Sequence, residues 1–312
     1  MESPPSLELM LGPAFLGSVA VTALFGVMVL QGYVYYSHSK GDGWGWRILV
    51  SCLCALEVMR LSFILHAMYL LFVKNFGNFE FLSYPTWSMV ALVFPGNLVE
   101  LIVRCVFAHR IRLLCGKRRR LQGIIIPITI VVLSIAAFIC GSIFAAKRLA
   151  LHVTDEVNTV SAYLYGHFSC AMAADFLAAA SLCAVLFHSR TGIQRTDSVV
   201  RILMAFSFNT GLLTCLCTTA CFITYVVWPN TLIWMGLLFP KSQLYVNSLL
   251  ASLNARESLR NHPKRTSEST GYEVHSLHFQ RSAPTTLNDL SSDGAERGLK
   301  ESSYTTETVE TK

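Results

Sequence analysis

Charged side chains are scarce in this sequence. They make up 14% of the 312 residues, whereas soluble domains carry about 25%. The sequence also lacks a Gly-x-Ser-x-Gly motif, a phosphate-binding glycine loop, a dinucleotide fingerprint and a helical His-x-x-x-His spacing. Each of these patterns would have indicated an enzyme or a metal site. We therefore expect a protein that is not an enzyme, with no catalytic residues, no cofactor and no metal.

The chain contains instead seven long apolar stretches. Each reaches the roughly 20 residues with which an α-helix crosses about 30 Å of hydrocarbon. The stretches are Phe15–Tyr36, Ile48–Val73, Trp87–Ala108, Ile124–Ala146, Ala162–Phe187, Ile202–Val227 and Leu232–Leu253. This pattern predicts an all-α fold, a bundle of seven transmembrane helices embedded in the lipid bilayer.

Lysine and arginine are concentrated in every second connection. Fifteen of them lie in the first, third and fifth connections and at the start of the tail, whereas the other side has only Lys74, Lys147 and Arg148. Because basic residues mark the cytoplasmic side, we predict an outside N-terminus and a cytosolic C-terminus. The net charge of +6 follows mostly from this topology, and we expect no nucleic-acid partner.

Three regions follow from this topology. Residues 1–12 form a short extracellular N-terminus, 13–256 the membrane domain and 257–312 a cytosolic tail. The tail is rich in Ser, Thr and Glu and poor in large apolar residues, so we expect it to be disordered. Ser267 and Ser282 follow basic residues and are predicted phosphorylation sites, although such sequences also arise by chance.

A basic run, Lys117–Arg120, follows the third stretch at the predicted cytosolic surface. Such a run attracts anionic inner-leaflet lipid by about 1 kcal/mol per residue; a purely topological signal is the alternative interpretation. Cys115 precedes this run at the membrane surface and is a predicted palmitoylation site.

Ionisable residues occur inside the apolar stretches, where each costs about 2.5–3.5 kcal/mol on insertion scales. Glu57 and Arg60 are three residues apart, and Glu100 and Arg104 are four apart. Each pair can therefore meet on one face of its own helix. Arg104 also lies close enough to the predicted inner surface to extend its charge toward it.

Asp175 and Lys241 have no partner on their own helices, and their similar depth predicts a pair between them. The candidate polar centre comprises Glu57, Arg60, Asn97, Glu100, Asp175 and Lys241. It binds a ligand, an ion or protons under one interpretation and only fixes helix packing under the other. For His66 and His167 we expect hydrogen-bonded structural roles.

Three segments of the chain resemble a known family. They are residues 190–198 (RTGIQRTDS), 209–214 (NTGLLT) and 244–256 (LYVNSLLASLNAR). They are similar to the fungal, basidiomycete-type integral membrane proteins grouped as domain of unknown function 6534. The resemblance implies an integral membrane fold and brings no established activity.

The leading functional hypothesis is a receptor-like or sensor-like protein, which we expect in the plasma membrane. It would bind a small molecule and act on a cytosolic signalling partner. The outline is similar to that of G-protein-coupled receptors, but the third stretch ends in Phe107-Ala108-His109-Arg110 and not in Asp-Arg-Tyr. A transporter or proton-coupled carrier is the first alternative, and a structural or scaffolding membrane protein is the second.

The predicted topology has a direct test. Reporters of compartment fused to the first and to the last residue should be found on opposite sides of the membrane, because an odd number of spans separates them. Accessibility to a membrane-impermeant protease in intact cells measures this, and two reporters on the same side would contradict the seven-span prediction.

Overall fold

A computed structural model of the chain describes residues 7–38, 43–77, 86–115, 121–150, 157–188, 194–228 and 231–261. Over these ranges the chain is helical and contains no strand, which confirms the all-α prediction. The predictions for Lys117–Arg120, Ser267 and Ser282 lie outside the described residues. The helices are α1 (Leu7–His38), α2 (Trp44–Tyr69), α3 (Trp87–Ala91 and Val93–Leu114), α4 (Gln122–Ala150), α5 (Val157–His188), α6 (Gln194–Val227) and α7 (Ile233–Asn261).

Two helices depart from regular α-helical geometry. After α2 the helix continues as a π-helical turn, Leu70–Lys74. Helix α3 is interrupted at Leu92, one turn before Pro95. Because proline has no N–H, it cannot donate a hydrogen bond to the carbonyl of Ala91. The interruption therefore has a local cause in the sequence.

Burial in the bundle differs from that in a soluble protein, because large apolar side chains are exposed and several charged or polar ones are buried. Leu30 and Ile128 are 64% and 57% exposed, whereas Glu57, Lys241 and Gln243 are completely buried. Five helices, α1 to α5, contain segments that are long and apolar enough to cross a membrane, and α6 adds the shorter apolar segment Gly211–Val227. These properties indicate an integral membrane protein with several spans.

The helices are arranged so that α3 lies at the centre. Consecutive helices pack against each other along the chain, and α7 returns to pack against α1. Helix α3 contacts α2, α4, α5 and α7. A polar side chain on the inner face of α3 is thus within reach of several helices at once.

Helices α1 and α7 approach closely through two glycines. A Cβ atom added to Gly17 would overlap the backbone of Gly236, and one added to Gly236 would overlap the carbonyl of Pro13. Small residues allow such close backbone contact inside a membrane. Further along the same interface, Asn247 Nδ2 donates to the Leu24 carbonyl at 3.0 Å. The glycine pair therefore sets the separation of α1 from α7, which carries part of the site described below.

We predict that Gly236→Ala lowers the free energy of unfolding by about 1–3 kcal/mol, because the added methyl group must displace the α1 backbone. Thermal unfolding of the protein in detergent measures this.

The matched control is Gly26→Ala, since a Cβ at Gly26 has no neighbour within 4 Å. This variant should be as stable as the wild type, or more stable by up to about 1 kcal/mol from helix propensity. Equal effects of the two substitutions would show that the close contact is absent.

Candidate functional site

Arg104 of α3 forms the centre of a buried network of charged side chains. Its Nε donates to Asp175 Oδ1 at 2.8 Å, and its Nη2 donates to Asp175 Oδ2 at 3.2 Å. Arg104 is only 2% exposed and Asp175 only 3%. A two-pronged contact of this kind between guanidinium and carboxylate is short and directional. It links α3 to α5 in the middle of the bundle.

The same guanidinium contacts two further side chains. Its Nη2 donates to Glu100 Oε2 at 3.1 Å and to the Tyr245 hydroxyl at 2.9 Å. The Tyr245 hydroxyl in turn donates to Asp175 Oδ2. Arg104 therefore joins α3, α5 and α7 through a single side chain.

Lys241 of α7 completes this network on the other side of Glu100. Its Nζ lies 3.0 Å from Oε1 and 3.1 Å from Oε2 of Glu100. The predicted pair between Asp175 and Lys241 is therefore wrong. Asp175 forms its ion pair with Arg104, and Lys241 forms its ion pair with Glu100. Helix α3 lies at the centre of the bundle and supplies a charged partner to each of them.

Glu57 and Arg60 of α2 form the predicted pair within one helix, with Arg60 Nη1 3.7 Å from Glu57 Oε2. Arg60 also donates to the carbonyls of Leu238 and Phe239, at 3.0 and 2.8 Å. These two residues precede Pro240, so Arg60 binds the backbone of α7 beside its proline. Neither carboxylate oxygen of Glu57 accepts a hydrogen bond from the described residues.

When all six are ionised, the charges of the buried side chains cancel. Three carboxylates and three cations lie inside the bundle, all at most 4% exposed. They are Glu57, Arg60, Glu100, Arg104, Asp175 and Lys241. A charge without a partner in such an environment costs several kcal/mol. Electroneutrality is therefore a condition for this bundle to be stable.

A cavity of about 90 Å³ lies next to the network. Glu100 and Arg60 line its inner end, and the exposed side chain of Arg148 lines it near the end of α4. Most of the wall is apolar, and includes Leu92, Phe144, Phe168, Trp234 and Leu238. Its size exceeds the 10–15 Å³ or so that one water needs, so it has room for a small ligand.

Asn97 and His167 line the same cavity beside Gly141. His167 Nδ1 lies 2.9 Å from the Ala137 carbonyl, which can only accept, so this nitrogen carries the proton and donates. A Cβ on Gly141 would overlap the Asn97 amide and approach His167 Nδ1 to 2.9 Å. The glycine of α4 thus makes room for two polar side chains.

A second, smaller cavity of about 10 Å³ lies on the other side of Arg104. It is lined by Phe107, Asp175, Ala178, Ala179, Leu182, Gly211, Thr214 and Tyr245, which come from α3, α5, α6 and α7. Asp175 and Tyr245 thus contact this cavity, while Glu100 contacts the larger one. The network lies between the two.

All six residues of the predicted polar centre are buried in the bundle. The within-helix pairs Glu57–Arg60 and Glu100–Arg104 are confirmed. Sequence reasoning placed Arg104 near the inner surface and outside the polar centre, although Arg104 is the centre of the network, and it missed Tyr245. Helical spacing in the sequence could have indicated both residues. Arg104 lies four residues after Glu100, and Tyr245 lies four residues after Lys241, so each shares a helix face with a residue of the predicted polar centre.

The remaining candidate side chains lie outside the network. His66 packs against the Trp87 ring, with 5.0 Å between ring centroids. Cys115 follows the last residue of α3 and is a partly exposed free thiol. Its palmitoylation stays a prediction.

The fold and the site together define an α-helical integral membrane protein with an electroneutral polar interior. Residues 171–258 match a family of unknown function, DUF6534. The match confirms the predicted domain of unknown function over less than a third of the chain. It includes Asp175, Lys241 and Tyr245, whereas Glu100 and Arg104 precede it. No curated protein and no solved structure gave a match.

We predict that Arg104→Met and Asp175→Asn each lower the free energy of unfolding by about 3–5 kcal/mol, because each leaves a buried charge without its partner. The double variant should lose clearly less than the sum, since it restores neutrality. Denaturant titration in detergent measures these differences.

The control pair is Lys241→Met combined with Asp175→Asn, which also restores neutrality but joins residues that are not direct partners. Its coupling energy should be smaller than that of Arg104 with Asp175. A larger coupling between Lys241 and Asp175 would contradict the pairing described above.

Proposed function

We propose that this protein is a receptor-like membrane protein that binds a small molecule in the larger cavity and transmits the event through the Arg104 network. In this proposal seven helices cross the plasma membrane, the N-terminus is outside and the tail meets a cytosolic signalling partner. Anionic lipid at Lys117–Arg120 belongs to the same proposal.

The position of the cavity supports a ligand that arrives from outside. Its wall includes the first turns of α3 and α7, at Met89 and Trp234, and the end of α4, at Arg148. In the predicted orientation these three helix ends face the exterior. The deep end, at Glu100 and Arg60, lies within the membrane.

The observation that carries the proposal is the chain of contacts from one cavity to the other. Glu100 lines the larger cavity and binds Arg104, which binds Asp175 and Tyr245, which line the smaller one. A ligand that binds one arrangement of these side chains better than another shifts their equilibrium. Helices α5, α6 and α7 meet at the smaller cavity, so such a shift reaches the inner half of the bundle.

A proton-coupled carrier is the second candidate, because carboxylates line both cavities. Under this proposal the network would separate two half-channels that open in turn. Flux of protons or of a labelled solute into liposomes that contain the purified protein favours the carrier. A ligand response without flux favours the receptor.

The experiment for the receptor proposal uses the full chain in lipid nanodiscs. A library of small organic acids, amines, alcohols and carbonyl compounds is screened by hydrogen–deuterium exchange. An active compound should change exchange near the larger cavity and also in α5 and α7 on the inner side of Asp175 and Tyr245.

Tyr245→Phe should retain the change near the larger cavity and lose most of the change on the inner side, because the ring stays while the hydroxyl that joins Arg104 to Asp175 is removed. Tyr225→Phe is the matched control, since it removes a hydroxyl that is bonded to Ser161 outside the network. An undiminished inner response in Tyr245→Phe, or no response to any compound, would refute transmission through the network.

A further inference from the structure

The larger cavity presents two hydrogen-bond donors that have no acceptor. Arg60 Nε and Asn97 Nδ2 are buried and make no hydrogen bond with the described residues, and both residues line the cavity. Arg60 is 2% exposed and Asn97 8%. Buried polar atoms are almost always paired in folded proteins. Two unpaired donors at one cavity therefore favour an acceptor there, either a water or a ligand.

Two neighbouring polar side chains at this end of the cavity have partners within the bundle. The Glu100 carboxylate accepts from Arg104 and Lys241, and His167 Nδ1 donates to the Ala137 carbonyl. Gly141 leaves space for the Asn97 amide, since a Cβ there would overlap it. Arg60 Nε and Asn97 Nδ2 are thus unpaired donors beside groups that have partners of their own.

Charge limits the ligand further. The six buried charges balance, so a charged group at the deep end of the cavity would add a net charge to a low-dielectric interior. The seventh charge, Arg148, lies at the exposed end of the cavity. An ammonium group would in addition face donors. A neutral oxygen acceptor satisfies both conditions.

The walls and the volume of the larger cavity limit the chemistry and the size of the rest of the ligand. Aromatic and aliphatic side chains, among them Phe144, Phe168 and Trp234, surround the polar end. At 10–15 Å³ for each water-sized unit, the cavity of about 90 Å³ holds roughly six to nine such units. This corresponds to a ligand with about the same number of non-hydrogen atoms.

Resting on the proposed role of this cavity as a ligand site, we propose that its ligand is a small uncharged carbonyl compound with an apolar body. The carbonyl oxygen accepts from Asn97 Nδ2 and Arg60 Nε, and the apolar body contacts the aromatic wall. A matched series of probes on one carbon ring tests this class: cyclohexanone, cyclohexanol, cyclohexylamine and cyclohexanecarboxylate.

Ligand-observed NMR with the full chain in nanodiscs measures binding, and empty nanodiscs correct for partition into lipid. Cyclohexanone should bind at least about fivefold more tightly than cyclohexylamine and cyclohexanecarboxylate, with cyclohexanol between them, as expected for one or two added hydrogen bonds. Tighter binding of the amine or of the carboxylate overturns the proposal.

Asn97→Leu keeps the size of the side chain and removes the donor. It should weaken cyclohexanone binding at least about fivefold and leave the melting temperature unchanged or higher, because an unpaired buried amide is lost. Asn254→Leu, which changes an asparagine that donates to the Gln31 carbonyl and does not line the cavity, should bind cyclohexanone like the wild type. Unchanged cyclohexanone binding in Asn97→Leu overturns the proposal, and the wild-type probe series decides it if this variant fails to fold.

The outcomes separate the ligand class from the proposed function. If no ring compound binds but another library compound changes hydrogen exchange, the carbonyl proposal fails and the receptor proposal stands. If neither the ring compounds nor the library bind, the cavity holds only water and both proposals fail. If cyclohexanone binds and exchange on the inner side of the bundle does not change, the ligand class stands and the receptor proposal fails.

Discussion

The contact between Arg104 and Asp175 is the interaction on which the rest of this structure depends. It lies in the interior of the bundle, where both side chains are at most 3% exposed, and it holds α3 and α5 at one relative rotation and depth. Lys241 and Tyr245 then complete the coordination of Glu100 and Asp175 from α7. Removing water makes each of these contacts stronger and makes each unpaired charge more costly. The network therefore specifies one arrangement of helices more sharply than apolar packing alone would.

Apolar surface plays the opposite role here from its role in a soluble protein. Large apolar side chains such as Leu30 and Ile128 face outward, where lipid is the solvent. Hydrophobic burial does not drive helices together in this environment. Close backbone contact, as between Gly17 and Gly236, and polar contacts between helices supply the specificity instead.

Prolines position part of the polar interior. Pro95 interrupts the hydrogen bonding of α3 just before Asn97 and Glu100, and Pro240 directly precedes Lys241. Arg60 binds the α7 carbonyls beside Pro240. The interruption of α3 and the proline within the continuous helix α7 thus lie beside the cavity and the network. Helix α3 contributes more of the residues that line the larger cavity than any other helix.

Much of the fold follows from the residue pattern alone, because a long apolar run in lipid must satisfy its backbone hydrogen bonds within its own helix. The pairs within one helix, such as Glu100 with Arg104, follow from helical spacing for the same local reason. The ion-pair partners of Asp175 and Lys241 could not be predicted from the residue pattern. Several buried carboxylates and cations were available, and which of them meet depends on the rotation and depth of neighbouring helices. Only the packed bundle places Arg104 between Asp175 and Glu100, and only packing leaves the Asn97 amide without an acceptor beside a cavity.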